Sequence, residues 1–316
     1  MTERSTSSGG PVEPPLPEPR VPPVLLLVVG ILGISTASLW ARGSSASGSE
    51  LAFRRLALTV PILLLLGWRT RAAVPSLATA SGAVLVSGFS LAIHFSAYFA
   101  SLARLDSVAV TLVFVSLHPV LLLPIETWRG EIRPGARALV GVLLAFAGAA
   151  WLARDEGIRE GGDLVGVALG VTSALGMVGY LLAGRRAGPR LGGAVYARRS
   201  YAVAALLLAI GIILDGGSLL PRSGTEWRIA ILLALFPTVL GHTPMNASLR
   251  HLPATVVSTA FLGEVVGASL LVWLVLGEVP PAGFWVGGSA IVGGIVLVVL
   301  ARRRERRGRD GRERST

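Results

Sequence analysis

"LGEVPPAGFWVGGSAIVGG" occupies residues 276–294, and residues 129–148 read "RGEIRPGARALVGVLLAFAG". At a single offset of 147 residues, Gly130–Glu131 pairs with Gly277–Glu278, Pro134 with Pro281, and Gly141 with Gly288. The same offset pairs Ala100, Ser101, Leu102 and Leu105 with Ala247, Ser248, Leu249 and Leu252, and Phe114 with Phe261, with no gap. Matches held at one fixed period mark an internal repeat rather than the chance likeness of apolar stretches. Earlier in the chain, "LGISTA" at 32–37 echoes "LGVTSA" at 169–174, and Arg54–Arg55 echo Arg198–Arg199. Two halves follow, residues 24–153 and 164–301.

Composition says what these halves are dissolved in. The chain is 52% hydrophobic and 15% charged, with a mean hydropathy of +0.68, far more apolar than a soluble domain. Apolar runs long enough for a helix to cross about 30 Å of hydrocarbon alternate with short charged stretches. The short alternating segments of a β-barrel are absent. Spans are expected near 24–41, 51–67, 76–99, 106–125, 137–153, 164–183, 199–214, 228–247, 254–276 and 283–301. Five spans per half is an odd number, so the second half enters the membrane from the opposite side. The expected fold is an all-α integral membrane protein of ten transmembrane helices, built as two inverted five-helix repeats, an arrangement recurrent in secondary transporters.

Charge placement orients it. All 29 basic residues are Arg, and with a cytoplasmic amino terminus most of them fall in the two tails and the cytoplasmic loops, as the positive-inside rule requires. Both termini are therefore expected on the cytoplasmic side of a cell (cytoplasmic or inner) membrane. The net charge of +11 is explained by this distribution, and no nucleic-acid partner is expected. Residues 1–23, rich in Pro, Ser and Gly, read as a disordered cytoplasmic tail, and residues 302–316 as a basic one. The start is not basic-then-apolar, so no signal peptide is expected.

The Gly-Glu, turn and Gly-rich helix of both halves resemble the EamA domain of the drug/metabolite transporter superfamily. Arg55 in "LAFRR" matches the Arg that often opens the second helix, and Pro119 matches the Pro of the fourth. "LFPTVLGHTPMNASLRHLPATVVS" resembles a subgroup with Pro-Thr, Gly-His and Asn in the eighth helix. That subgroup carries Glu-Pro in the ninth helix, whereas here Glu264 precedes Val265, and Pro244 moves the expected kink to the eighth. The resemblance spans nearly the whole chain outside the tails. It implies export or exchange of small metabolites, without naming one.

Polar side chains at membrane depth mark where such a site would lie, because they are costly in lipid and so face the bundle interior. His94, His118 and His242 lie inside spans, and the 147-residue offset sets His94 beside His242 and His118 beside Glu264. Glu264 sits about ten residues into its span; near His242 it is expected to take up and release a proton. The competing reading is a carboxyl that glues helices together, which Gly263 and Gly267 would favour. Asn246, the only Asn in a chain without Gln or Lys, is placed one turn beyond His242 on the same face, provided that Pro244 leaves the turn intact. Thr238 and Tyr98 are further candidates for the lining, with Tyr180 beside them. Arg55 is expected to contact lipid phosphate more readily than substrate. Glu131 and Glu278 are expected to cap helix N-termini.

The chemistry excluded is broad. There is no Cys, which removes disulfides and thiolate metal sites. There is no Lys for a P-loop, and neither HExxH nor GxSxG occurs. No cofactor and no metal are expected. The expected partners are a small-molecule substrate and the bilayer, and a homodimer is compatible with the sequence. The resulting expectation is a secondary active transporter of a small metabolite such as an amino acid, working by alternating access around Glu264, His242, Asn246, His118, His94, Tyr98 and Thr238. The alternative is an integral membrane enzyme or lipid-handling protein that uses the same His/Glu cluster.

Overall fold

The computed structural model describes residues 21–41, 43–68, 81–105, 108–154, 163–280 and 282–313. Within them the chain is helical, with no strand. The elements are α1 (Pro23–Ile34), α2 (Ala37–Ala41), α3 (Gly48–Trp68), α4 (Ser81–Leu105), α5 (Val108–Val115), α6 (His118–Trp128) and α7 (Ala136–Ala153). They continue as α8 (Leu164–Leu191), α9 (Gly193–Leu214), α10 (Gly224–Leu233), a π-helical segment (Ala234–His242), α11 (Thr243–Ser248), α12 (Ala254–Phe261), α13 (Gly263–Leu276) and α14 (Phe284–Glu313). Most of the expected amino-terminal tail lies outside the described residues, whereas the basic carboxyl-terminal stretch continues α14 as helix to Glu313.

Nine helical stretches among the described residues are long and apolar enough to cross a membrane. The expected second span, α3, is not one of them, because Glu50, Arg54 and Arg55 occupy its first two turns. All three are buried. Outward-facing Leu65, Leu85, Phe89, Leu143 and Trp285 are exposed, as suits a surface in contact with hydrocarbon. The chain is thus a multi-pass helical membrane protein.

Local chemistry explains where helices stop. Gly130 and Gly277, the glycines of the repeated Gly-Glu motif, adopt φ of 68° and 72°. This left-handed conformation ends a helix at no steric cost only for Gly. Of the carboxylates beside them, Glu131 pairs with Arg129 at 2.6 Å. The cap is Glu126 instead. It accepts the N–H groups of Ala254 and Thr255 at the start of α12, at 2.9 and 2.8 Å, where the helix leaves donors free. Asp163 caps α8 by accepting from the Gly166 N–H at 2.9 Å. Ser223 caps α10 through the Glu226 N–H.

Small residues set the helix contacts, since close backbone approach replaces the hydrophobic effect within lipid. α4 packs along α8, where a Cβ on Gly176 would meet the Ser90 oxygen at 2.7 Å. α7 packs along α14 through Gly141, Gly148, Gly287 and Gly294. α1 packs on the π-helical segment at Gly33 and Gly241.

Candidate functional site

Four long helical passages are interrupted, and the interruptions lie around one cavity. The first passage breaks at Ser35–Thr36 between α1 and α2. Another breaks at Ser116–Leu117 between α5 and α6, ahead of Pro119. A third breaks at Leu262 between α12 and α13. The fourth winds into π-helix over Ala234–His242. Pro237 lies inside that segment and Pro244 at the start of α11; each lacks the N–H that an α-helix would use. Thr238 and Thr243 send their hydroxyls five residues back, to the carbonyls of Leu233 and Thr238, at 2.8 and 2.9 Å. The ninth helix, where the missing Pro argued against a kink, breaks all the same. Leu262 and Val265 make three-residue backbone bonds there, and a Cβ on Gly263 would lie against Ile31.

The cavity is lined by Arg55, His94, Tyr98, Ser116, His118, His242 and Glu264, with Phe95, Phe261, Val115 and Met177 among its apolar walls. Its volume is about 20 Å³, room for roughly one water. As it stands the cavity is too small for anything larger than water.

Five of the seven residues expected at the site line it. His94 is held by Ser173, whose hydroxyl donates to the His94 carbonyl at 2.9 Å. With that hydrogen committed, the His94 Nδ1–H donates to Ser173 in turn, at 3.0 Å to its carbonyl, and Nε2 is left as acceptor. His118 pairs through Nδ1 with the Ser258 hydroxyl at 2.6 Å and stands edge-on to Phe261. His242 packs between Phe95 and Phe261; its Nδ1 is buried without a hydrogen bond. The Tyr98 hydroxyl is likewise buried and unpaired. Glu264 opens α13 and makes no hydrogen bond or ion pair among the described residues; Arg55 acts on it only across the cavity.

Asn246 and Thr238 are the two exceptions. Asn246 is 1% exposed and donates to the hydroxyls of Tyr180 and Tyr201, the latter at 3.1 Å. That network continues through Tyr196, Ser87 and Ser200. Asn246 stands one turn beyond His242 in α11, and its amide is taken up by the two tyrosines. Thr238 stands behind the lining, accepting from Arg55 Nε at 3.0 Å.

Arg55 itself corrects the expectation of headgroup contact. It is 1% exposed, its guanidinium lies 4.3 Å from the centre of the Phe95 ring, and its Nη2 has no hydrogen-bond partner. Its neighbour Arg54 points elsewhere, to Glu226 at 2.9 Å and to the carbonyls of Ser218, Leu219 and Leu220. Two adjacent arginines in a helix diverge by about 100°, and here one enters the site while the other staples α3 to the loop before α10. Ser173 and Ser258 were missed as partners of the histidines. Ser173 lies in the "LGVTSA" stretch, so its signal was present; Ser258 carried none.

No curated protein matches the chain. Among 28 matching solved chains, one crystal structure superposes with a TM-score of 0.75 at 20% identity, covering 90% of this chain and 98% of that one. At that identity the likeness is one of fold. Residues 164–300 match the model of the EamA-like transporter family. The second half therefore matches an EamA-like transporter domain, which supports an EamA-type member of the drug/metabolite transporter superfamily.

Proposed function

We propose that the chain is a secondary exporter or exchanger of a small metabolite, working by alternating access between two inverted five-helix repeats with both termini cytoplasmic. The observation that carries this reading is the convergence of four interrupted helices on one buried polar cavity. Discontinuous helices at the repeat interface are how such proteins build a midplane site.

The repeat reading has support in the packing. Ser116 and Gly263, at the breaks of the fourth and ninth helices, stand at the 147-residue offset. α3 packs on its counterpart α9, and α7 on its counterpart α14. The pair α4 with α8 exchanges with the pair formed by the eighth and first helices. At the α7–α14 crossing, Gly141 faces Gly294 and Gly148 faces Gly287. This makes Gly287, not Gly288, the counterpart of Gly141, a slip of one residue in the last helix.

Because the chain has no Cys, one introduced at Ser116 reports access without background. In oriented vesicles, a membrane-impermeant maleimide is expected to label Ser116→Cys from either side, and a bound substrate to change the balance. Labelling from one side under all conditions would rule out alternating access. A reconstituted protein that dissipates no metabolite gradient, and whose Glu264→Gln variant behaves identically, would rule out the transporter reading itself.

A further inference from the structure

We propose that the two faces of the bundle are closed by chemically different locks between the halves of the chain. On the face where α3 begins, the lock is an ion-pair cluster of Glu50, Arg54 and Glu226. On the face where α9 begins, it is a hydroxyl cluster of Ser87, Tyr196 and Ser200. The proposal rests on the alternating-access reading and adds which side chains hold each face shut.

The antiparallel course of α3 and α9 sets this up. The start of α3 meets the loop that follows α9, where Glu50 accepts the Ser218 N–H at 2.7 Å. Buried positions keep one register along the two helices: Glu50, Leu51, Arg54 and Arg55 in α3, and Tyr196, Ala197, Ser200 and Tyr201 in α9, each pair 146 residues apart. Arg198 and Arg199, which echo Arg54–Arg55 in sequence, are only partly buried. Equivalent positions of two packed helices thus carry charges on one face and hydroxyls on the other.

At the start of α3 the bonds cross between the halves. Arg54 donates through Nη1 to Glu226 at 2.9 Å, and through Nη2 to the carbonyls of Ser218 and Leu220 at 3.0 Å each. Glu226 also accepts from the Ser45 hydroxyl and the Arg222 N–H, both at 2.9 Å. Glu50 lies 3.8 Å from Arg54 and 3.8 Å from Arg222. Arg54 and both carboxylates are buried, and loss of either partner strands a charge. Such a face opens when water reaches the charges, because hydration then replaces the pair.

At the start of α9 the crossing is made without an ion pair. Ser87 of α4 stands 2.7 Å from the hydroxyls of both Tyr196 and Ser200, and Tyr196 donates to the Tyr180 carbonyl at 2.8 Å. All four residues are buried. A Cβ on the next residue of α4, Gly88, would run into Val203, so the two helices touch there. Glu126 and Thr255 tie α6 to α12 on the same face.

Each lock adjoins the cavity along its own helix. Arg54 precedes Arg55, which lines the cavity. Ser200 precedes Tyr201, which stands within electrostatic reach of Arg55. A movement of α3 or α9 that breaks its lock therefore also moves the wall of the cavity or the group behind it.

The test uses the full-length Ser116→Cys protein in oriented vesicles, with the impermeant maleimide applied from each side in turn. The side on which α3 begins is identified by labelling of Asp215→Cys, an exposed position in the loop after α9. Glu226→Gln keeps an acceptor for the Arg222 N–H and removes the charge. It is expected to raise labelling of Ser116→Cys from the α3 face, relative to the other, by about tenfold. Tyr196→Phe is expected to tilt the balance towards the α9 face. Raising the ionic strength should act on the parent as Glu226→Gln does and add little in that variant, since salt stabilises charges once they are exposed. Glu50→Gln and Ser87→Ala replace either variant that does not fold. The proposal is overturned if either variant fails to favour its own face. A variant that melts lower with the balance unchanged marks plain packing and overturns it too. Labelling of the parent from both sides would, in those cases, leave alternating access intact; labelling from one side in every variant and at every salt concentration would remove both readings.

Discussion

Thr255 gives Glu126 both its backbone N–H and its hydroxyl, at 2.8 and 2.6 Å, although 129 residues separate the two in sequence. Glu126 ends the fourth helical passage, in the first half of the chain, and Thr255 begins the ninth, in the second. A helix N-terminus within an apolar bundle has free donors that water does not reach, and a carboxylate also answers the positive end of the helix dipole. Glu126→Ala is therefore expected to destabilise the folded protein by about 1–3 kcal/mol. Glu126→Gln, which keeps one acceptor oxygen, should lose less. Thermal melting in detergent measures both, and equal melting of Glu126→Ala and wild type would refute the cap.

Asn246 tests the difference between lining and support. Its amide serves Tyr180 and Tyr201 rather than the cavity. Asn246→Ala is expected to cost about 1–3 kcal/mol of stability, since it takes a donor from two buried phenols, while leaving the order of substrate preference unchanged. A double-mutant cycle with Tyr201→Phe should show coupling, because both changes remove the same bond. A change of preference without loss of stability would place Asn246 in the site after all.

The α7–α14 crossing depends on missing side chains. A Cβ on Gly148 would lie 2.5 Å from the Gly287 carbonyl oxygen, and a Cβ on Gly287 would lie 2.7 Å from that of Gly148. Backbone cannot step aside as a long side chain can. Gly148→Val is expected to lower stability by about 1–3 kcal/mol through overpacking, whereas Gly288→Ala, which finds open van der Waals contact, should be nearly neutral. Comparable melting shifts for the two variants would contradict this crossing.

Acid should weaken the cap of α8. The hydrogen bond from the Gly166 N–H, and after it the bond from Arg104, hold the Asp163 carboxyl below the usual carboxylate range. A carboxyl with a lowered folded pKa stabilises the protein above its unfolded pKa of about 3.9. That contribution disappears as pH falls through the lower folded value. The melting difference between wild type and Asp163→Asn is expected to be constant near neutral pH and to shrink below about pH 4. The effect is small because the pair is solvent-exposed. A difference that grows on acidification has the wrong sign for this account.

Much of the architecture was legible along the chain because it rests on short-range rules. Apolar run length placed helices close to where they lie, although several run past their apolar core: α4 ends at Leu105 rather than 99, α8 at Leu191 rather than 183, α9 begins at Gly193 rather than 199, and α14 runs to Glu313 rather than 301. The Gly-Glu motif marked helix ends because φ near 70° favours glycine. Three histidines, Tyr98 and Glu264 converge on one cavity, as their cost in lipid demanded.

Direction and partnership were not legible, since these depend on winding and on distant segments. Arg54 and Arg55 are equivalent in composition, and only the orientation of α3 sends one to Glu226 and the other to Phe95 and Thr238. The Asn246 amide goes to Tyr180 and Tyr201, 66 and 45 residues away in sequence, rather than to the cavity beside His242. Ser258 becomes the partner of His118 across 140 residues. The sequence by itself determined which groups must be kept from lipid. The tertiary structure decided which of them were satisfied by one another and which were left unpaired, because hydrogen bonds demand distances and angles that only the packed helices set.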